Sequence, residues 1–299
     1  MSAAPPARNT PKRTKKSRPE NPSRRRFLRR ALIGSGAVVG GGALWSVFGE
    51  RTWLTARRVS VPIPNLPPPL DGFTIAHLSD LHRGPYISEQ QIREAATMAM
   101  AEAPDLIVLT GDHVSRSAGY AKSCLRALSP LNAPYGVHAV LGNHEYWTGE
   151  VERLTNAYRD AGIGLLINES APIVVGDAMC WLCGVDDIWE GSPDLATTLA
   201  NVPQEHLKIL LCHEPDFADE AAKHGVHLQL SGHSHAGQVR LPGVGAIRLP
   251  RYARKYPYGL RTVGATAMRI YTTAGIGVTF PPIRINCRPE VAILRLTGA

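Results

Sequence analysis

Five short apolar runs in this chain each end in residues that can bind a metal ion, and this recurrence constrains the fold most strongly. The residues that follow the runs are, in chain order, Asp80 with His82, Asp112, Asn143 with His144 and Glu145, His213, and His233 with His235. Apolar strands that alternate with helices predict βαβ units whose helices cover the faces of a sheet. Ligands bind at the carboxyl ends of the strands in such sheets, so we expect these side chains to meet there.

The wider pattern predicts one α/β domain of about 240 residues, in which two sheets pack together with helices outside. Residues 57–70 read as a strand and a proline-rich connection. Helices are predicted at Ser88–Glu102, which opens on a capping box between Ser88 and Gln91, and near residues 120–128. Further strands are predicted at residues 73–79, 105–110, 136–141, 173–175, 180–184, 209–212, 228–230, 246–249, 267–273 and 291–296.

The positive charge of the chain is confined to its N-terminus. The formal net charge is +8, yet the first 30 residues hold eleven Lys or Arg and one acid, which leaves a net charge of −2 for the remainder. The body of the protein shows no basic stripe interleaved with aromatic residues, the pattern that grooves for nucleic acids use. We therefore expect no nucleic-acid partner.

The N-terminal segment resembles an export signal. Ser23–Arg29, "SRRRFLR", is similar to the twin-arginine motif S/T-R-R-x-F-L-K, and residues 31–48 are apolar but diluted by five glycines. We expect a disordered basic tail at 1–22, a twin-arginine signal at 23–50 and a catalytic domain at 51–299. The protein would then meet the twin-arginine translocase. It would work in the periplasm, in the cell wall or on the outer face of the cytoplasmic membrane.

Two features of that segment are left open by the sequence. No A-x-A cleavage site follows the apolar stretch, so the signal is either removed or kept as a membrane anchor. An ordinary membrane anchor behind a basic tail is the alternative to a twin-arginine signal. The apolar stretch of 18 residues is borderline for spanning a bilayer.

The five cysteines do not form a disulfide framework, because they are scattered and their number is odd. Cys180 and Cys183 have the spacing of a CxxC motif, but they lie in a run that reads as a buried strand. Residues i and i+3 of a strand point to opposite faces. We expect them to be buried core thiols.

The types of the candidate ligands indicate which metals they suit. Oxygen and imidazole ligands without thiolates suit Mn, Fe or Zn rather than a Cys-rich structural zinc site. His233 and His235 are two residues apart, so in extended backbone they point the same way. One "GD" or "NH" after a strand is ordinary turn chemistry, but five such ends in chain order predict a shared site. Two metals can clamp the attacking and leaving oxygens of an in-line displacement.

The order D-x-H, G-D, G-N-H-E, H and G-H-x-H resembles the calcineurin-like metallophosphoesterase superfamily, from Phe73 to about Gln238. The resemblance implies a four-layer αββα sandwich of two mixed sheets with flanking helices. It also implies two divalent metals with Mn or Fe favoured and Zn as the alternative. The first would bind Asp80, His82 and His235, the second would bind Asn143, His213 and His233, and Asp112 would bridge them. His144 would face the substrate as the catalytic residue that protonates the leaving oxygen.

Three further motifs resemble small bacterial phosphodiesterases that carry a twin-arginine signal or are related to UDP-2,3-diacylglucosamine hydrolases. They are "GVDDIW" from Gly184, "HAGQVR" from His235 and the closing "PPIRINCRPEVAILRL". In that tail Arg284, Arg288 and Glu290 are expected to be structural rather than substrate-binding. Glu145 would orient His144 or close its turn. Roles for the Arg251–Tyr258 loop, and the substrate-binding residues, are not identified.

The resemblance implies a phosphodiesterase that acts on a lipid-linked or cell-envelope phosphate ester by in-line attack of a metal-bridging hydroxide. A phosphomonoesterase or protein phosphatase is the first alternative, and a non-catalytic binding scaffold is the second. A protein that folds in the cytoplasm binds Mn or Fe before export, which favours those metals. The other six histidines match no ligand position and are interpreted as structural: His77, His113, His138, His206, His224 and His227.

Overall fold

The computed structural model describes Met1 and residues 22–299, in two compact units, Met1–Leu44 and Trp45–Ala299. The described residues of the first unit form one helix, α1 (Pro22–Leu44). The predicted disordered tail falls mostly on residues 2–21, which lie outside the described residues. Within the described part of the chain, no helix combines the length and the apolar character needed to cross a bilayer.

The first sheet of the second unit contains six strands in the order β1-β14-β2-β3-β4-β5. Strands β2 to β5 run parallel, and β14 pairs antiparallel to β2 and parallel to β1. The bounds are β1 Thr55–Ile63, β2 Thr74–Leu78, β3 Leu106–Thr110, β4 Val137–Val140, β5 Gly164–Leu165 and β14 Glu290–Gly298. β2 and β3 are buried along almost their whole length, as their continuous apolar sequences predict.

The second sheet contains six strands in the order β12-β13-β9-β8-β7-β6, and is also mixed. Strands β7, β8, β9 and β13 are parallel, while the edge strands β6 and β12 pair antiparallel to their neighbours. The bounds are β6 Glu169–Val175, β7 Ala178–Gly184, β8 Leu207–Leu211, β9 Leu228–Ser231, β12 Gly259–Thr262 and β13 Arg269–Thr272. A separate two-stranded ribbon joins β10 (Arg240–Leu241) to β11 (Gly245–Ala246).

Six helices accompany the two sheets. They are α2 Glu89–Met100, α3 Ala121–Leu128, α4 Asn143–Tyr146, α5 Val151–Asp160, α6 Leu195–Leu199 and α7 Ala218–Ala221. Both hydrogen bonds of the predicted capping box at the start of α2 are present. The Ser88 hydroxyl accepts from the Gln91 N–H, and the Gln91 side chain accepts from the Ser88 N–H.

Three hydrophobic clusters separate these layers. The cluster between the sheets contains Ile75 and Leu294 of the first sheet together with Leu182 and Leu230 of the second. A second cluster lies between the first sheet and helices α2, α3 and α5, and a third between the second sheet and helices α6 and α7. This order of helix, sheet, sheet and helix confirms the predicted α/β sandwich of two mixed sheets.

The cysteines are buried and free, as expected. Cys180 belongs to the cluster between the sheets, whereas Cys183 belongs to the cluster on the outer face of the second sheet. The two thiols of the CxxC motif therefore lie on opposite faces of β7. Burial raises the pKa of both to about 12, so neither is a reactive thiolate at neutral pH.

Candidate metal centre

The strand ends of both sheets bring the candidate ligands together at one end of the sandwich. Asp80 and His82 follow β2, Asp112 follows β3, and Asn143 opens α4 directly after β4. His213 follows β8, and His233 and His235 follow β9. The Asp80 carboxylate accepts the backbone N–H of His233 at 3.1 Å, which ties the loops of the two sheets to each other.

Five of the candidate ligands have left-handed backbone conformations, which residues other than glycine adopt rarely. Their φ angles are 51° for Asp80, 46° for His82, 53° for Asp112, 65° for His233 and 49° for His235. Such conformations cost free energy and cluster at functional sites, because there the geometry of a side chain matters more than local stability. The sharp turns aim side chains from neighbouring loops at one point.

The first group of donor atoms surrounds His82. Its Nε2 lies 3.0 Å from His235 Nε2 and 3.5 Å from Asp112 Oδ2, and His235 Nε2 lies 3.3 Å from Asp80 Oδ1. Asp80, His82 and His235 each contribute one ligand atom, these three atoms lie within 4.8 Å of one another, and all three residues are buried. These are the three residues predicted to hold the first metal.

The second group surrounds His213. Its Nε2 lies 3.3 Å from Asp112 Oδ2 and 3.2 Å from His233 Nδ1, and these three residues form a second buried cluster of ligand atoms. Asn143 Oδ1 is also buried and has no hydrogen-bond partner among the described residues. A buried acceptor without a partner costs free energy, so this oxygen is suited to a cation. Asp112 Oδ2 is shared by both groups.

The spacing of these atoms fits metal binding. Donor atoms that bind one ion at about 2.0–2.2 Å lie roughly 3.0–3.5 Å from one another, and the separations above fall in that interval. The residues present therefore fit a pair of divalent ions with Asp112 between them.

Backbone carbonyls fix which nitrogen of two histidines is available. His213 Nδ1 lies 2.6 Å from the Thr110 carbonyl, and His233 Nε2 lies 2.8 Å from the Arg251 carbonyl. Each of these nitrogens donates its N–H, so the nitrogens that face the site are His213 Nε2 and His233 Nδ1. The raised pKa of His213 means that its Nε2 releases a proton when it binds a metal. Such outer contacts orient histidine ligands in metal sites, and the Arg251–Tyr258 loop supplies one of them.

The protonation of the site suits metal ligation. Burial lowers the pKa of His82 and of His235 well below the usual value, and lowers that of His233 to about 3. These rings are neutral at pH 7, as ligation requires. Burial opposes the charge on His213, but the Asp112 carboxylate outweighs it and raises the pKa of His213. The same ring, together with other histidines, holds the pKa of Asp112 well below its usual value.

Glu145 closes the turn rather than orienting His144. Its fully buried carboxylate accepts four backbone N–H groups, from Asp112 at 2.9 Å, His113 at 2.8 Å, Val114 at 3.1 Å and Gly142 at 2.9 Å. The side chain therefore joins the loop after β3 to the loop after β4. It thereby fixes the backbone of Asp112. Of the two roles expected for Glu145, closing the turn is the one that has contacts among the described residues.

His144 lies beside both the carboxylate and the ligand histidines. Its backbone N–H donates to Asp112 Oδ1 at 2.9 Å, and its ring contacts the rings of His82 and Trp147 at centroid distances of 4.5 and 4.6 Å. The residue is 8% exposed, and one of its ring nitrogens falls in a cluster with His82 and Asp112. Burial lowers its pKa. The geometry thus places His144 beside Asp112 and His82.

An aromatic wall continues from His144. The Trp147 and Trp189 rings meet edge to face at 5.5 Å, and Trp189 meets His233 at 5.8 Å. The Arg116 guanidinium lies 4.7 Å from the centroid of the Trp147 ring. The sequence pattern does not identify these residues, although Trp147 and Trp189 stand within the motifs "GNHEYW" and "GVDDIW".

Two buried carboxyl groups behind the site were also not identified from the sequence. Asp187 follows β7 and accepts the N–H groups of Trp189 and Glu190, and Glu214 accepts the N–H of Ile188. Burial raises the pKa of both carboxyl groups. They hold the loop that carries Trp189. The signal was present, since an acidic residue directly after a strand is the same pattern that the ligands show.

The three residues of the C-terminal tail, Arg284, Arg288 and Glu290, differ in burial. The Arg284 guanidinium is fully buried and donates to the carbonyls of Ala274, Gly275, Gly277 and Cys287. Glu290 is buried as well, whereas Arg288 is exposed. Arg284 and Glu290 are therefore structural, as expected. The six histidines outside the motifs belong to none of the clusters of ligand atoms found among the described residues.

The sequence profile of the calcineurin-like phosphoesterases matches residues 73–237, which is more than half of the chain. The chain belongs to the calcineurin-like phosphoesterase family. It is thus a metallophosphoesterase, a hydrolase of a family that uses a dinuclear divalent metal centre.

Two bacterial relatives are similar to this chain over most of its length. The uncharacterized metallophosphoesterase YkuE of Bacillus subtilis is 32% identical over 92% of this chain and 97% of its own length. Phosphodiesterase YaeI of Escherichia coli is 32% identical over 92% of this chain and 99% of its own length. Among solved structures, TT1561 of Thermus thermophilus has a TM-score of 0.49 at 14% identity, over 69% of this chain and 90% of that one.

Proposed function

We propose that this phosphoesterase is a phosphodiesterase that hydrolyses a phosphate ester of the cell envelope at the centre around Asp112. The observation that carries the proposal is the convergence of two clusters of ligand atoms on Asp112, with His144 beside them. We further propose the ligand sets given above: Asp80, His82 and His235 for one ion, and Asn143, His213 and His233 for the other. When bound, such a pair polarises phosphoryl oxygens and makes water a stronger nucleophile.

The residues of the chain divide the remaining work. Glu145 and the Asp112 N–H fix the carboxylate between the two groups, so that little reorganisation accompanies the reaction. The His144 ring donates an N–H to the ester oxygen that leaves. In its protonated form the ring passes this proton to the oxygen as that oxygen gains charge, and the ring returns to its neutral form. The Trp147 and Trp189 rings border this position and exclude water from one side of it.

A diester is favoured over a monoester by the likeness to YaeI, which is named a phosphodiesterase. The chain adds few residues beyond the two sheets and their helices, which leaves little to shape a groove for a protein substrate. We propose a lipid-linked or wall phosphodiester as the substrate. The resemblance of the C-terminal motifs to enzymes related to UDP-2,3-diacylglucosamine hydrolases supports this class.

The proposed metal and the proposed location are connected by the route of export. Ser23–Arg29 matches the twin-arginine motif in sequence, and this route exports proteins that have already folded. Folding in the cytoplasm would allow Mn or Fe to bind before the protein meets Zn or Cu, which bind more tightly to such ligands. Metal analysis of protein isolated from the envelope would show Mn or Fe on this proposal, and Zn alone would contradict it.

The experiment that tests the reaction compares an aryl phosphodiester with an aryl phosphomonoester, using the full chain reconstituted with Mn. Turnover of the diester that Asp112→Asn abolishes is the expected result. Preference for the monoester would make this a phosphomonoesterase. No turnover of either ester by protein that holds metal would contradict the proposed activity on phosphodiesters.

Export is tested by replacing the pair of arginines. Arg24→Lys with Arg25→Lys is expected to keep the protein in the cytoplasm, because the motif requires both arginines. Arg26→Lys is the matched control, since Arg26 stands at the free position of the motif. Equal export of both variants would contradict the twin-arginine route.

A further inference from the structure

A group of arginines that are not candidate metal ligands lies beside the metal centre, around the phenol ring of Tyr258. The guanidinium of Arg57 lies 4.9 Å from the ring centroid and that of Arg240 lies 5.4 Å from it. Two like charges held against one ring repel each other. The electrostatic energy of the pair falls when an anion binds between them, because Coulomb attraction to the anion offsets the repulsion.

A cavity of about 600 Å³ opens at these side chains. Its walls include Arg57, Arg240, Tyr258 and Arg288. The Arg288 guanidinium stacks on the Trp53 ring at 3.5 Å from the centroid, which holds this third charge at the rim. The cavity has room for a phosphate group and part of what it is attached to.

Most donors of the three guanidinium groups are unused within the described residues. Arg57 donates to the Tyr258 hydroxyl, and Arg240 donates to the Ala236 carbonyl at 2.9 Å. Arg288 makes no hydrogen bond through its side chain there, and none of the three forms an ion pair within 4.0 Å of a carboxylate in that part of the chain. Guanidinium groups with free, converging N–H donors are suited to binding phosphate in a bidentate manner.

The acidic residues of the cavity are already satisfied. Glu290 accepts from the hydroxyls of Tyr258, Tyr271 and Thr273, at 2.9, 2.8 and 3.0 Å. Glu50 accepts the N–H of Cys287 at 2.6 Å. Neither carboxylate forms an ion pair with the three guanidinium groups among the described residues, although the charge of Glu290 acts on Arg57. The two acids therefore offset part of the positive charge of the cavity and leave most N–H donors of the arginines open to an anion.

The register of the strands places this cavity at the same end of the sandwich as the metal centre. Arg57 of β1 pairs with Ala292 of β14, which in turn pairs with His77 near the end of β2. The cavity also borders the turn of a proposed ligand, because the Cys287 thiol donates to the His235 carbonyl at 3.2 Å. The two sites therefore share a face of the protein.

We propose that Arg57, Arg240 and Arg288 form an anion-binding site for a phosphate group beside the metal centre. The phosphate belongs either to a soluble ligand or to the headgroup of a phospholipid. The site is separate from the metal ligands, and its binding of phosphate does not depend on the hydrolysis proposed above.

The test uses the full chain after removal of metal, so that phosphate binding to a metal centre does not contribute. The line width of the ³¹P NMR signal of inorganic phosphate reports its binding. The variant Arg57→Gln with Arg240→Gln and Arg288→Gln is expected to bind phosphate at least about tenfold more weakly than the wild type. The matched control replaces three exposed arginines on helices α3 and α5 in the same way: Arg126, Arg153 and Arg159.

Unchanged binding in the triple variant, or equal losses in both triple variants, would overturn the proposal. If the triple variant does not fold, Arg288→Gln alone carries the test, because Arg288 is exposed and its side chain holds no hydrogen bond among the described residues. The single variant is expected to weaken binding, and binding equal to that of the wild type would overturn the proposal.

A second arm distinguishes the source of the phosphate. Sedimentation with phosphatidylcholine vesicles that contain phosphatidylglycerol is compared for the wild type and both triple variants. The N-terminal basic segment is present in all three proteins, so its contribution is common. Vesicle binding that is lost only in the triple variant of the cavity indicates a headgroup. Vesicle binding that is equal in all, with phosphate binding lost, indicates a soluble ligand.

Discussion

Glu145 Oε2 accepts the backbone N–H of Asp112 at 2.9 Å, and this bond is one of four that the buried carboxylate makes to the backbone. Asp112, the residue proposed to bridge two metals, is thus held in place by Glu145, which is not one of the proposed ligands. The stability of the loops and the geometry of the centre depend on the same side chain.

Replacement of Glu145 by Gln is expected to destabilise the protein by about 3 kcal/mol, since the amide removes one acceptor oxygen and turns an NH₂ group toward N–H donors. The free energy of unfolding in urea measures this. Glu190→Gln is the control, because that exposed carboxylate accepts a single hydrogen bond, from Trp147 Nε1. Equal stability of the Glu145→Gln variant and the control would contradict the role given to Glu145.

Gly142 is required by the close approach of the ligands. A Cβ atom at this position would lie 2.5 Å from Asp112 Oδ1 and 2.9 Å from His213 Nε2. Gly142→Ala is therefore expected to lower the metal content of the folded protein. Gly298→Ala is the control, since no atom lies within 4 Å of the added Cβ there. Full metal occupancy in Gly142→Ala would show that the loop gives way without cost.

The His77 ring predicts a specific acid sensitivity. Burial lowers its pKa to about 3 in the folded state, from about 6.5 in the unfolded chain. The unfolded state binds the extra proton, so the contribution to stability is full above pH 6.5 and is lost as the pH falls toward 3. Over this interval His77 contributes a slope of up to about 1.4 kcal/mol per pH unit.

His77→Gln is expected to reduce the pH slope of the unfolding free energy by about one proton between roughly pH 6 and 4. Denaturant unfolding at several pH values, with wild type and variant in the same buffers, measures the difference. Parallel curves for the two proteins would show that His77 does not carry this proton linkage.

Loss of His144 is expected to affect esters according to their leaving groups. His144→Ala leaves the proposed ligands in place but removes the N–H that assists the leaving oxygen. Turnover should fall most, by roughly 10²–10⁴-fold, for esters of poorly acidic alcohols, and least for nitrophenyl esters. Metal content equal to that of the wild type is the control. An equal loss for good and poor leaving groups would contradict the role as an acid.

The sequence predicts the architecture and the candidate ligands because both depend on local patterns. Apolar runs predicted β2, β3, β4, β8 and β9 to within one or two residues, since each lies mostly inside the sandwich. The Ser88 capping box predicted the start of α2. The ligands follow from the positions of these strand ends, because parallel strands end at a common edge.

Other elements were predicted wrongly or missed. Residues 246–249 were expected to be a strand, but only Gly245–Ala246 pairs, in a ribbon with β10. Helix α5, Val151–Asp160, is mostly polar and packs through Leu154 and Tyr158. Val151, Leu154 and Tyr158 stand at the helical spacing i, i+3 and i+7, a signal that was not used to predict this helix. Tertiary contacts with α3 and the first sheet decide its place.

Contacts between distant residues were also beyond the sequence. Arg57 and Tyr258 are separated by 201 positions, and β14 links them, because it pairs with β1 and carries Glu290, which accepts from the Tyr258 hydroxyl. The left-handed turns at Asp80 and His235 are unusual for these residue types. The four N–H groups around Glu145 are invisible in a sequence, because nearly every residue has one.

The central claim is that two divalent ions share Asp112. It is tested most directly by the metal content and the electron paramagnetic resonance spectrum of the Mn-reconstituted protein. The account predicts two ions per chain with a spin-coupled spectrum in the wild type, and one uncoupled ion in both His235→Ala and His213→Ala. A single ion in the wild type, or two ions without magnetic coupling, would contradict it.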